Sequence, residues 1–128
     1  MVVHRICGLI CKLGLVLLAI PVHAANPYNG NWDISFEGVK SVEMSGTVVV
    51  KDDGGSWQVH AENKKNPCVG REAPIAVTTA TESELVFEVQ RSKGLASCKD
   101  WTVKLKRVDE NTLKGRFADG REITLERE

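Results

Sequence analysis

After residue 30 the chain alternates apolar and polar residues with period two, in one short stretch after another. Trp32-Ile34-Phe36, Trp57-Val59-Ala61, Ile75-Val77-Thr79, Leu85-Phe87-Val89, Trp101-Val103-Leu105 and Ile123-Leu125 each line one face, with mostly charged or hydroxylic residues between them. A period of two places one face of an antiparallel strand on a core and the other in water. Strands are predicted over 31–37, 42–50, 56–63, 74–80, 84–90, 101–107, 112–117 and 121–127. Asp52-Asp53-Gly54-Gly55, Asp109-Glu110-Asn111 and Ala118-Asp119-Gly120 supply the turn residues. Gly46 and Gly115 fall inside strands, where glycine marks a bulge or a sharp bend. Eight sequential antiparallel strands form either an up-and-down barrel or a β-sandwich. The all-β barrel is expected, because nearly every inward set is apolar and closure removes the exposed edges.

Residues 1–24 read as a signal peptide rather than as part of this fold. Arg5 and Lys12 make a positive start, Leu13 to Ile20 is apolar, and Val22 and Ala24 sit at the small-residue positions before a cleavage point. The apolar stretch is too short to span a bilayer. A periplasmic or secreted protein follows, with a lead-in at 25–30 that is extended or mobile and a single domain over 31–128. The whole chain balances 17 basic against 17 acidic residues, so loss of Arg5 and Lys12 leaves a slightly acidic domain. No global charge bias towards nucleic acid or membrane results. Cys7 and Cys11 leave with the leader, and the remaining Cys68 and Cys98 of an exported domain are expected to form one disulfide.

The meander gives those cysteines a meaning. Links one, three, five and seven share one end of the barrel, and links two, four and six share the other. Cys68 lies in link three and Cys98 in link five, so a bond between them joins neighbouring loops at one end, within the reach a disulfide requires. The same end collects Lys40, Lys64, Lys65, Arg71, Arg91, Lys93, Lys99 and Arg121 against Glu72, Asp100 and Asp119. The opposite end collects Asp52, Asp53, Glu82, Glu84, Asp109 and Glu110 against Lys51 and Arg107. The two longest links, 64–73 and 91–100, are both at the basic end. Long loops on a rigid scaffold are where binding concentrates, so Lys64, Lys65, Arg71, Arg91, Lys93 and Lys99 are the candidate ligand-binding residues.

At Gly30-Asn31-Trp32 the chain resembles the G-x-W start of lipocalins and their avidin-like relatives. The resemblance implies that Trp32 closes the barrel floor, that a basic residue of the last strand packs across it, and that the mouth is formed by the odd-numbered links. Arg127 has the matching parity, since it continues the inward set Ile123 and Leu125. The chain carries neither the other lipocalin motifs nor the biotin-site pattern of avidins, so the implication is one of architecture and mouth position.

Enzymatic chemistry has few candidates. His60 is the sole histidine after the leader, it alternates outward, and no nucleophile elbow accompanies it. One histidine and a disulfide pair do not make a zinc site, and Asp52-Asp53-Gly54-Gly55 lacks the alternating oxygen ligands of a calcium loop. Lys104, Lys106, Lys114 and Arg116 form an outward basic stripe, but exposed aromatics for stacking bases are missing beside it. A non-enzymatic, monomeric binding protein without metal or cofactor is therefore expected. It would use the stapled basic end for an amphipathic anion or an acidic protein surface. The alternative is a small periplasmic inhibitor of a protease or lysozyme, inserting a loop or the 25–30 segment. Short strands favour a barrel filled by its side chains; a cavity, if present, is expected to be apolar with a cationic rim.

Overall fold

The computed structural model describes residues 25–61 and 65–128. The expected leader, with Cys7 and Cys11, and the candidate Lys64 lie outside them. Eight strands follow in order: β1 Gly30–Glu37, β2 Glu43–Lys51, β3 Gly54–Val59, β4 Ala73–Ala80, β5 Glu84–Val89, β6 Trp101–Asp109, β7 Thr112–Phe117 and β8 Glu122–Arg127. Short 3-10 turns at Val39–Ser41 and Arg91–Lys93 interrupt the first and fifth links. Each strand pairs antiparallel with the next, and β8 returns to β1, with Trp32 opposite Arg127 and Ile34 opposite Leu125. The result is a closed up-and-down barrel, not a sandwich.

The alternation in the sequence becomes the inside and outside of the wall. Ile34, Val48, Leu85, Phe87, Val103, Leu105, Leu113, Ile123 and Leu125 are all buried, and every exposed neighbour between them faces out. Burying a side chain of this kind stabilises the fold by roughly 1.5–3 kcal/mol relative to leaving it in water. Gly115 shows why the wall tolerates no side chain at certain points. A Cβ there would stand 1.8 Å from the Lys104 carbonyl oxygen, so glycine permits β6 and β7 to approach. Neither Gly46 nor Gly115 is a bulge. The register shifts fall instead between Val77 and Thr79 and between Arg107 and Asp109. The first of these ends the inward set of β4 at Val77, so the expected Ile75-Val77-Thr79 face is one residue pair short.

The lead-in departs from expectation more sharply. It is neither extended nor loose, because Tyr28 is fully buried under the barrel and its hydroxyl donates to the Thr81 carbonyl. The Trp32 indole N–H donates to the Tyr28 carbonyl at 2.8 Å. Arg127 stands with its guanidinium carbon 4.2 Å from the Trp32 ring centroid and donates to the carbonyls of Asn29 and Pro27 at 2.8 and 3.1 Å. Asn29 and Asn26 in turn clamp the β2–β3 turn, through the Asp52 backbone N–H at 2.7 Å and the Asp52 carbonyl at 2.7 Å. Residues 25–30 thus plug one end of the barrel.

The opposite end is held differently. β3 and β4 share two register pairs only, Ser56 with Pro74 and Trp57 with Ala73, and proline offers no N–H to the ladder. Beyond that short seam the chain loops out, and Cys68 and Cys98 are bonded with their Cα atoms 5.7 Å apart. The bridge ties link three, the loop that leaves this short seam, to link five. Closing a loop with a sequence separation of 30 should stabilise the fold by about 3–4 kcal/mol on the chain-entropy account. Cys68→Ser with Cys98→Ser should therefore lower the unfolding free energy by about that amount in urea titrations, with the far-ultraviolet β signature retained. A change under about 1 kcal/mol would show that the seam holds without its staple.

Candidate binding cup at the stapled end

The interior is packed from the Trp32 floor upward, but not to the rim. At the stapled end an aromatic group closes the core: Phe36, Trp57, Trp101 and Phe117, with ring centroids 5.1 to 6.2 Å apart and mostly edge to face. Above it lies an open cavity of about 460 Å³. Four odd-numbered links build it: Gly38 and Val42 from link one, Asn66 and Cys68 to Arg71 from link three, Arg91 from link five and Arg121 from link seven. Met44, Val59 and Ala61 complete the wall. Those side chains are small or flexible, so the space between the splayed loops stays unfilled. The wholly filled barrel expected from short strands is thus corrected to a filled barrel with a cup at one end.

Three arginines and no carboxylate stand among the described lining residues. Two of the three arginines are held in place. Arg91 lies flat on Trp101, its guanidinium carbon 3.7 Å from the ring centroid, and its Nε–H donates to the Lys99 carbonyl at 2.9 Å. Burial lowers the pKa of its guanidinium from the ordinary arginine value, with nearby Asp100 working in the opposite direction. Arg121 sits over Phe117 at 5.0 Å, pairs with Asp119 at 2.7 Å and donates to the Glu37 carbonyl at 3.0 Å. Arg71 is exposed and has no hydrogen bond or ion pair among the described residues. Stacking on rings is the favoured geometry for a guanidinium that must remain partly dry.

The candidates divide accordingly. Arg71 and Arg91 meet in the cup, and the Cys68–Cys98 bond forms part of its wall. Lys65, Lys93 and Lys99 are exposed and lie outside the lining; Lys99 contributes its backbone carbonyl rather than its ammonium group. Arg121, Phe36, Trp57 and Trp101 belong to the cup and were not among the candidates. Parity alone could have found the three rings, since all are inward residues near odd-numbered links. The charge contrast between the ends is also smaller than the loops suggest, because Glu37 and Glu43 at the ends of β1 and β2 share the basic rim. His60 lies between the cup-lining Val59 and Ala61 but is itself exposed and outside the lining, with its Nε2 3.1 Å from the Thr47 hydroxyl. No group of three or more His, Cys, Asp or Glu side chains able to hold a metal occurs among the described residues.

No family model matches the chain, and no curated protein matches it. Among solved structures it is similar to a de novo designed, fluorescence-activating beta barrel, at 23% identity and a TM-score of 0.54, covering 84% of this chain and 100% of the designed one. At that identity the likeness is one of fold. The resemblance at Gly30-Asn31-Trp32 accordingly extends to the eight-stranded barrel, and lipocalin membership is not shown.

Asp100 positions the Arg91 turn. Its carboxylate accepts from the Ser92 backbone N–H at 2.8 Å and the Ser92 hydroxyl at 2.9 Å, and these bonds hold its pKa below the ordinary aspartate value of 3.8. A carboxyl depressed in the folded state contributes stability above its unfolded pKa and loses it as the pH falls. The Trp101 indole resonance should therefore move as the pH falls below the ordinary aspartate value, and Asp100→Asn should remove that local transition. An unchanged transition in the variant would place its origin in another carboxylate.

Proposed function

We propose that the chain is an exported, non-enzymatic binding protein that holds a small amphipathic anion in the cup at its stapled end. The observation that carries this reading is the composition of the described lining: an aromatic and aliphatic bowl with three arginines at its edge and no acid among the described residues. Small-molecule sites are mostly apolar and carry a few polar groups that fix orientation. Here the apolar body of a ligand would displace water from the bowl, and its anionic group would meet Arg71 and Arg91. The Trp32–Arg127 floor supports the reading too, since it blocks the other end and makes the cup the route in. Export rests on the leader-like residues 1–24 and suits a disulfide-bearing fold.

An acidic protein surface could dock on the same rim, but a bowl of this depth of apolar lining would then stay empty. The inhibitor reading loses one of its two routes, because residues 25–30 are packed as the floor plug and are not available for insertion into a hydrolase.

The test is native mass spectrometry of protein expressed with residues 1–128 in a bacterial periplasm and purified without denaturation. The expected spectrum shows a small-molecule adduct on the wild type that Arg71→Glu with Arg91→Glu loses, with affinity for the recovered compound falling at least about tenfold. An adduct-free wild type that instead captures an acidic protein, lost in the same double variant, would overturn the cup reading in favour of rim docking.

A further inference from the structure

The floor of the cup carries a donor that none of the described residues uses. Trp57 is 1% exposed, and its indole N–H donates to none of the described residues. Among the described residues every fully buried side-chain nitrogen and oxygen has a partner, so the sliver of Trp57 that stays exposed includes this N–H, and Trp57 lines the cup. Buried tryptophan N–H groups ordinarily find an acceptor, as Trp32 does at the other end of the barrel. A second set of idle donors lies at the rim. Arg91 uses its Nε–H on the Lys99 carbonyl, and its terminal N–H groups donate to none of the described residues.

These two sets are close together. The Arg91 guanidinium is 3.7 Å from the Trp101 centroid, which is 6.0 Å from the Trp57 centroid, so rim and floor are no farther apart than those two distances end to end. A long acyl chain would reach the Trp57 ring and have nowhere to go, because the fully buried Phe87 packs against that ring in the filled interior. Such a chain would also leave the Trp57 N–H without an acceptor. The wall offers flat surfaces at steep angles to one another, Trp57 and Trp101 being inclined at 85°, which suits a planar ring packed on one and edge-on to the other.

We propose that the occupant is a compact aromatic acid of one or two rings, its carboxylate held by Arg91 and Arg71 at the rim, with an acceptor oxygen at its far end for the Trp57 N–H. This inference rests on the reading of the cup as a small-anion site. The guanidinium fork supplies two parallel donors to a carboxylate, and the indole supplies the distal one. A rigid ring joins them with little conformational entropy to lose on binding.

Calorimetric titration with 6-hydroxy-2-naphthoate, 2-naphthoate and octanoate tests the inference, alongside nitrogen–proton spectra of the three indoles. The hydroxynaphthoate should bind about threefold to tenfold tighter than 2-naphthoate, the value of one neutral hydrogen bond. Octanoate should bind at least about tenfold more weakly than 2-naphthoate. The Trp57 and Trp101 indole signals should move while Trp32 stays. Trp57→Phe should erase the preference for the hydroxyl and leave 2-naphthoate binding in place, and Arg91→Gln should weaken both naphthoates about tenfold or more. Octanoate binding as tightly as the naphthoates, and still depending on Arg91, would overturn the aromatic acid and leave the anion cup standing. A hydroxyl preference that survives in Trp57→Phe would overturn the indole's role. No binding of any of the three, with all indoles unmoved, would overturn the cup reading itself.

Discussion

One guanidinium closes this barrel. Arg127 belongs to the last strand, lies over a tryptophan of the first, and donates to two carbonyls of the segment that precedes it. An eight-stranded wall has two edges until its first and last strands meet, and here the meeting is capped by a charge that three backbone carbonyls and a ring share. The carbonyls compensate the partial loss of hydration, and the ring face adds an attraction of roughly 0.5–2 kcal/mol. With that contact in place Tyr28 can be buried, the Asn26 and Asn29 side chains can grip the Asp52 turn, and one end of the molecule is sealed.

Sealing one end gives the other its character. The strands there diverge into four links, and the β3–β4 seam has only two register pairs to hold it. The disulfide ties the loop that leaves this seam to link five without filling the space. Side chains such as Ala61, Val69 and Gly70 are too small to cross the gap, so the core ends at an aromatic shelf with space above. Arginines then lie against the shelf because a guanidinium stacks on a ring while keeping its N–H groups outward. The barrel thus carries the same pairing, arginine on aromatic, at both ends with opposite results: Arg127 meets carbonyls of the chain and closes the floor, whereas Arg91 keeps its terminal donors idle and leaves the mouth receptive.

Much of this was legible as pattern. Alternation located all eight strands, because a half-buried wall imposes a period of two wherever it runs. Link parity brought Cys68 to Cys98, and strand parity brought Arg127 to Trp32. What the pattern left out follows from what it measures. Period two says which way a residue faces, not how far the opposite wall stands, so the same inward Phe36, Trp57 and Trp101 were compatible with a filled barrel or a cup. Tyr28 precedes the first strand, where no periodicity exists to announce its burial. The bulge beside Thr78 inserts one residue among hydroxyl-rich neighbours, with no glycine to mark it. Glu37 and Glu43 belong to strands by pattern, yet their place at the strand ends puts them on the rim and tempers its charge.

A closed floor and an open mouth make the barrel asymmetric, and the three tryptophans report on the two ends separately. Hydrogen–deuterium exchange of the indole N–H groups, followed by nuclear magnetic resonance on the free protein, reads that asymmetry directly. The Trp32 N–H, bonded to the Tyr28 carbonyl at 2.8 Å, should exchange only through global unfolding, whereas the Trp57 N–H should exchange through the native state, orders of magnitude faster. Equal protection of Trp32 and Trp57 would mean that the mouth is as closed as the floor, and would contradict the cup.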